Sequence, residues 1–246
     1  MAEQTREHRS FSAAIEKRAL IAIARRLPAA IHSDHLTALA LLAVAMAGAG
    51  FALAHWDVRA LWVVVVGLAL NWFGDSLDGT VARVRKVERP RYGFYVDHVL
   101  DIVGATLLFA GLAASGFMTP LIALAMLVAY LLVSGEVFLA TSVHGVFRMS
   151  FSGVGPTELR ILLAIGAIAL FRDPHVDLGG LGRLRLFDFG GLIAIAGMVV
   201  ALTVNIVRNA TVLARLEPRP NTNSQLPTPN LEARDEIGSW DLGVER

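Results

Sequence analysis

Asp75-Ser76-Leu77-Asp78-Gly79-Thr80-Val81-Ala82-Arg83, followed after nine residues by Gly93-Phe94-Tyr95-Val96-Asp97-His98-Val99-Leu100-Asp101, lies in sequence apolar enough for a membrane interior. Carboxylates are among the costliest groups to place in hydrocarbon, so an intramembrane cluster of four marks a functional site. Asp75 and Asp78 are three residues apart and Asp97 and Asp101 four apart, so on helices each pair projects from one face. Two such helices side by side would gather the four acids in one pocket. Unaided, four like charges repel and take up protons, whereas a divalent cation holds them ionised. The spacing therefore predicts a Mg2+ or Mn2+ site on Asp75, Asp78, Asp97 and Asp101.

The rest of the chain agrees with a membrane setting. Of its 246 residues 55% are hydrophobic and 17% charged, against about 25% charged in an average soluble domain. A helix needs roughly 20 apolar residues to cross a hydrocarbon core of about 30 Å. That length finds Leu36 to Ala54, Leu61 to Val84, Val96 to Ser115, Met118 to Ser142 and Phe189 to Leu213. A sixth segment, Thr157 to Phe171, is short. Pro156 before Thr157 and Glu158 suits a helix start, and an even count places both ends on one side. The expected fold is an all-α integral membrane protein of six transmembrane helices.

Basic residues orient it. Lys17, Arg18, Arg25 and Arg26 precede the first span, Arg85, Lys86, Arg89 and Arg91 follow the second, Arg148 follows the fourth, and Arg208 and Arg215 lie at the end of the sixth. The opposite side carries Arg59 and, against the trend, Arg172, Arg183 and Arg185. The balance puts both termini and the acid-bearing helix ends in the cytosol.

Before the first span, Phe11, Ile15, Ala19, Ala22 and Ile23 fall on one side of a helix, with Lys17, Arg18 and Arg25 largely away from it. This predicts an amphipathic helix in the headgroup layer, ended by Pro28; a helix packed on the bundle is the alternative. Met1 to Ser10 lacks the apolar core of a secretory signal. From Glu217 on, prolines, asparagines and scattered charges leave little to bury, which predicts disorder. The organisation expected is a cytoplasmic segment over 1–35, a six-helix catalytic domain over 36–215 and a disordered cytoplasmic tail over 216–246. A net charge of +1 gives no reason to expect nucleic acid, and the absence of cysteine excludes disulfides and thiolate chemistry.

The two quoted stretches resemble the signature of the CDP-alcohol phosphotransferase (CDP-alcohol phosphatidyltransferase) family, D-x2-D-G-x2-A-R followed by G-x3-D-x3-D. Each of its eight specified positions is filled, within Asp75 to Asp101. The resemblance implies six membrane helices and a site open to the cytosol. It implies that Asp75, Asp78 and Asp97 hold divalent metal, with Asp101 beside it as the base that deprotonates the attacking hydroxyl. Gly79, Ala82, Arg83 and Gly93 would meet the CDP group: Gly79 and Ala82 keep one face shallow, Arg83 reaches a phosphate, and Gly93 leaves room for cytidine. The reaction implied is attack by an alcohol on a CDP-linked donor with loss of CMP, as in phospholipid synthesis. CDP-diacylglycerol is the leading donor, and a CDP-choline or CDP-ethanolamine type of transfer to diacylglycerol is the alternative. Membrane lipid and a homodimer are the further partners that the resemblance implies.

Other residues have plainer readings. His98 suits an interhelical hydrogen bond, Glu136 lines an acceptor cavity or makes a structural bond, and Glu158 and Arg160 bind substrate or pair with each other. Asp34 is an N-cap candidate. Arg85, Lys86, Arg89 and Arg91 read as topology and headgroup charges. Arg148, Arg160 and Arg208 are loose candidates for a phosphorylated acceptor. Gly48-Ala49-Gly50 suits close helix packing, and Gly179-Gly180-Leu181-Gly182 lacks what a phosphate loop needs. Two rival functions remain, a cation channel or transporter and a regulatory subunit that keeps the site. The absence of matching acids in the second half of the chain weighs against the first.

Overall fold

A computed structural model describes residues 11–144, 156–179 and 182–218, and within them the side chains of 16–143, 159–179 and 182–218. The expectations for Met1 to Ser10, Arg148, Gly180, Leu181 and the tail beyond Pro218, and for the Glu158 side chain, lie outside the described residues. By internal packing the chain divides into Met1–Ile206 and Val207–Arg246. The first unit holds the acids.

The elements run α1 (Phe11–Arg26), α2 (Ser33–Leu53), a 3-10 turn (Val58–Ala60), α3 (Leu61–Arg85), α4 (Pro90–Ala114), α5 (Pro120–His144), α6 (Pro156–Ala169), β1 (His175–Asp177), β2 (Arg183–Arg185) and α7 (Leu186–Leu216). Among the described residues five helices are long and apolar enough to cross a membrane: α2, α3 with its preceding turn, α4, α5 and α7. The sixth segment forms α6, but its 14 residues reach only about 21 Å at about 1.5 Å each. Between α6 and α7, β1 and β2 pair antiparallel in the register His175 with Arg185, Val176 with Leu184 and Asp177 with Arg183. Asp173 fastens the hairpin: it accepts from the His175 amide at 2.9 Å and from Arg183 Nη2 at 3.0 Å. The His175 amide foremost, then the Arg183 charge, holds its carboxyl below the usual range.

Helix α2 is the hub. It packs on α3 and α4, while α4 also meets α5, and α3 also meets α6 and α1. Glycine permits this closeness: a Cβ on Gly74 would lie 2.6 Å from the Leu36 carbonyl oxygen, and one on Gly111 would run into the backbone of Gly48. The packing role expected of Gly48 and Gly50 holds, the first against α4 and the second against Val64 of α3. Asn71 Nδ2 adds a hydrogen bond to the Ala40 carbonyl at 2.9 Å.

Two apolar clusters divide the bundle. The larger, at the end away from the acids, gathers Phe51, Leu61, Val64, Leu112, Met118 and Phe187 among others, and Phe51 meets Phe187 edge-on. At that end Asp188 of α7 accepts from the Thr119 amide at 2.6 Å and its hydroxyl at 2.7 Å, satisfying the start of α5 from another helix. The smaller joins Leu20 and Ala24 of α1 to Leu36 of α2 and to Leu77 and Val81 of α3. The face of α1 turned to the bundle is that of Leu20, Ile23 and Ala24, whereas Ala19 and Ala22 of the expected apolar side are exposed with Lys17, Arg18, Arg25 and Arg26, and the Phe11 and Ile15 side chains lie outside the described residues. Trp72 Nε1 donates to Glu16 at 3.1 Å across the same joint.

Arg85 departs from its reading as a headgroup charge. Its guanidinium donates to the carbonyls of Ile31 at 2.6 Å and of Leu27 and Pro28 at 3.0 Å each, at the turn that Pro28 imposes after α1. Lys86, in the left-handed region at φ 57°, then ends α3, and Pro90 opens α4 at a position where its missing N–H costs nothing.

Candidate active site

Helix periodicity brings Asp75 and Asp78 of α3 towards Asp97 and Asp101 of α4. The two helices meet mainly through α2, whose first turns form the floor between them. Consecutive acid-bearing helices therefore frame a gap instead of closing on each other. All four carboxylates interact electrostatically: Asp101 feels Asp75, Asp97 and Asp78, and Asp78 feels Asp97 and Asp75. Asp78 is the deepest, 9% exposed, whereas Asp97 and Asp101 are exposed on the gap.

Each α3 acid has a partner that spacing could not show. Asp78 Oδ2 accepts from the Thr37 hydroxyl of α2 at 2.8 Å, and its Oδ1 accepts from the Gly79 amide at 2.5 Å. Asp75 accepts from Arg160 Nη2 of α6 at 2.8 Å. Arg160 thus pairs with a signature acid. Tyr130 of α5 lies in the electrostatic reach of Asp101, Arg160 and Asp75, so α5 and α6 close the cluster on the side away from the α3–α4 turn.

On the turn side a cleft of about 80 Å3 is lined by Thr37, Asp78, Gly79, Ala82, Gly93 and Asp97, and by Asp34, Arg89 and Tyr92. It brings together two of the acids and three of the four residues expected to meet CDP. A Cβ on Gly93 would meet nothing within 4 Å, so the start of α4 faces open space. Arg83 is exposed beside it: Nη2 donates to Thr80 Oγ1 at 3.2 Å, and Nη1 would lie 3.3 Å from a Cβ on Gly79. That glycine leaves room for the arginine as well as for a ligand.

One further expectation changes. Asp34 is not the cap of α2, because the helix starts at Ser33; it pairs with Arg89. His98 Nδ1 bonds the Phe94 carbonyl of its own helix at 2.6 Å, and its ring packs on Phe94 and Phe138. Glu136 is half-buried on α5, next to the turn that bears the buried Ser134.

Four carboxylates with no sulfur or imidazole among them suit a hard cation such as Mg2+ or Mn2+. As the side chains stand, no three acids or histidines among the described residues are grouped to hold one ion. Asp75 is turned to Arg160 and Asp78 to Thr37. The donor set fits in chemistry but is not grouped around one point, with Arg160 occupying one of its carboxylates.

No protein of curated function matches the chain in a similarity search. The sequence profile described as CDP-alcohol phosphatidyltransferase matches residues 30–213, from just before α2 into the last helix and across the whole cleft. The acids, the cleft and this match agree: the chain belongs to the CDP-alcohol phosphatidyltransferase family of membrane transferases, which act on a CDP-linked donor and an alcohol acceptor.

Proposed function

We propose that this protein moves a substituted phosphate from CDP-diacylglycerol to the hydroxyl of an alcohol, releasing CMP. The observation that carries the reading is the convergence of the four signature acids beside a cleft floored by Gly79, Ala82 and Gly93. The family description speaks for a lipid donor, since a phosphatidyl group is a diacylglycerol phosphate.

In this reading Asp75, Asp78 and Asp97 hold Mg2+ or Mn2+, with Asp101 beside it. A bound divalent cation would neutralise the diphosphate and stabilise the attacking and leaving oxygens. The chain's own groups do the rest. Asp101 accepts the proton of the acceptor hydroxyl, whose oxygen bonds to the phosphorus bearing diacylglycerol. The bond from that phosphorus to the oxygen it shares with the CMP phosphate breaks, and CMP leaves with that oxygen. Thr37 fixes the orientation of Asp78. Arg83 swings from Thr80 to a donor phosphate. Gly79, Ala82 and Gly93 let the nucleotide approach the backbone.

The topology that suits this chemistry has α6 as a short sixth span, both termini and the cleft in the cytosol, and α1 along the headgroups with its four cations outward. A homodimer completes the proposal.

The test is CMP formation by purified protein in lipid with Mg2+. CDP-diacylglycerol is offered with a panel of alcohols and, separately, CDP-choline or CDP-ethanolamine with diacylglycerol, with Asp101→Asn as the control. CMP release from the CDP-diacylglycerol arm, abolished in the variant, supports the reading. Release only from the other arm reverses the donor, and no release from protein shown to bind CDP removes the catalytic assignment.

A further inference from the structure

Arg89 stands just before α4 and Asp34 in the first turn of α2, 55 residues apart, yet Arg89 Nη2 and Asp34 Oδ1 form an ion pair. The same guanidinium lies 4.0 Å from the centre of the Tyr92 ring. All three residues line the cleft that contains Asp78 and Asp97. Asp34 and Arg89 also line a neighbouring cavity of about 250 Å3 with His32 and Arg85, so the pair stands between two open spaces. With the side chains 49% and 54% exposed, such a pair adds little to stability.

We propose that Asp34, Arg89 and Tyr92 form the subsite that reads the cytosine of the donor, an inference that rests on the CDP-linked reaction above. The cleft has two chemically different ends. The acid end takes the diphosphate, so the nucleoside must run past Gly79 and the open face of Gly93 towards the turn, where these three side chains wait. Cytosine presents acceptors at O2 and N3 and a donor at N4. A guanidinium beside a carboxylate presents donors and then an acceptor, in matching order. A carboxylate accepting from cytosine N4 is an established pairing in base readout. Uracil places an acceptor where cytosine has N4 and a donor at N3, so it meets this edge with the wrong polarity. The ion pair engages one guanidinium nitrogen and one carboxylate oxygen, and Asp34 Oδ2 and Arg89 Nη1 are the atoms assigned to the base. Tyr92, 49% exposed, gives the base a stacking face once the guanidinium turns from it.

The full-length protein in lipid nanodiscs with Mg2+ is titrated with CDP and with UDP by calorimetry. Wild type prefers CDP by about tenfold or more, the size of one good base contact. Asp34→Ala and Arg89→Ala bring that preference below about threefold, and Tyr92→Ala weakens both nucleotides about equally while Tyr92→Phe does not. The ratio is read within one preparation. Should an alanine variant fail to fold, Asp34→Leu and Arg89→Met keep much of the side-chain volume and remove the acceptor and the donors, and they answer the same question. A preference unchanged in the Asp34 and Arg89 variants overturns the proposal and leaves the donor assignment standing, as does equal binding of CDP and UDP by wild type. Wild type that binds neither nucleotide overturns the donor assignment and the subsite together.

Discussion

Arg160 of α6 holds Asp75 of α3 at 2.8 Å across 85 residues of chain, its side chain 15% exposed and that of Asp75 40%. It sets a cation beside the signature acids, and Asp101 feels its charge as well. Replacing it by Met leaves Asp75 facing three carboxylates, which costs about 1 kcal/mol after allowance for solvent screening. The melting temperature without divalent ions falls accordingly. If the acids bind Mg2+, added Mg2+ raises the melting temperature of Arg160→Met by more than that of wild type, because the ion replaces the lost charge. An equal rise in both proteins would take the metal away from these acids.

Gly93 allows stability and ligand binding to be separated. A methyl there meets nothing in the protein, and Ala in a helix interior is favoured over Gly by about 1 kcal/mol. Gly93→Ala therefore melts no lower than wild type. The same methyl occupies the space assigned to the nucleoside, so the affinity for CDP falls by about tenfold, near 1.4 kcal/mol. Calorimetry and a melting curve on one preparation check both halves, and loss of stability together with affinity would show that the face is packed instead of open.

The Thr37 hydroxyl donates to the buried Asp78. A hydrogen bond to a charged group contributes about 1.5 to 3 kcal/mol, and leaving the acceptor bare costs on that order. Thr37→Val, matched in shape, loses about 2 kcal/mol of stability and about tenfold in CMP formation, the lower range for a residue that orients a ligating carboxylate. Thr37→Ser recovers both. Recovery of stability without activity would make the bond structural only.

What was legible in the sequence follows from what each signal measures. Hydropathy reports apolar length, so α2 to α5 and α7 lie where expected, and α6 is visible as the short one it is. The spacing of the acids reports which residues share a helix face, and the four lie within electrostatic reach of one another without three of them being grouped around one point. Neither signal reports which helix stands behind which. That both acid-bearing helices pack on α2, leaving a gap, depends on glycines such as Gly74 and Gly111 meeting particular backbone atoms. Pairings such as Arg160 with Asp75 and Asp34 with Arg89 join residues far apart in the chain and leave no periodic trace. The hairpin escaped because strands of three residues are too short to alternate visibly.

Arg85 supplies the last prediction. Its guanidinium spans the carbonyls of Leu27, Pro28 and Ile31 at the turn where Pro28 stops α1. These bonds fasten the α1–α2 turn to the end of α3, two residues past Arg83 of the signature. A lysine brings the same charge but only one nitrogen, which cannot reach three carbonyls placed around a planar fork. Arg85→Lys and Arg85→Ala should therefore destabilise by similar amounts, about 2 kcal/mol for the lost charge-assisted bonds. The change is local: hydrogen exchange quickens in residues 20–31 by about tenfold or more, while the outer cluster around Phe51 and Leu61 keeps its protection. A lysine variant that behaves as wild type would return Arg85 to a simple basic charge near the membrane surface, since charge alone would then suffice.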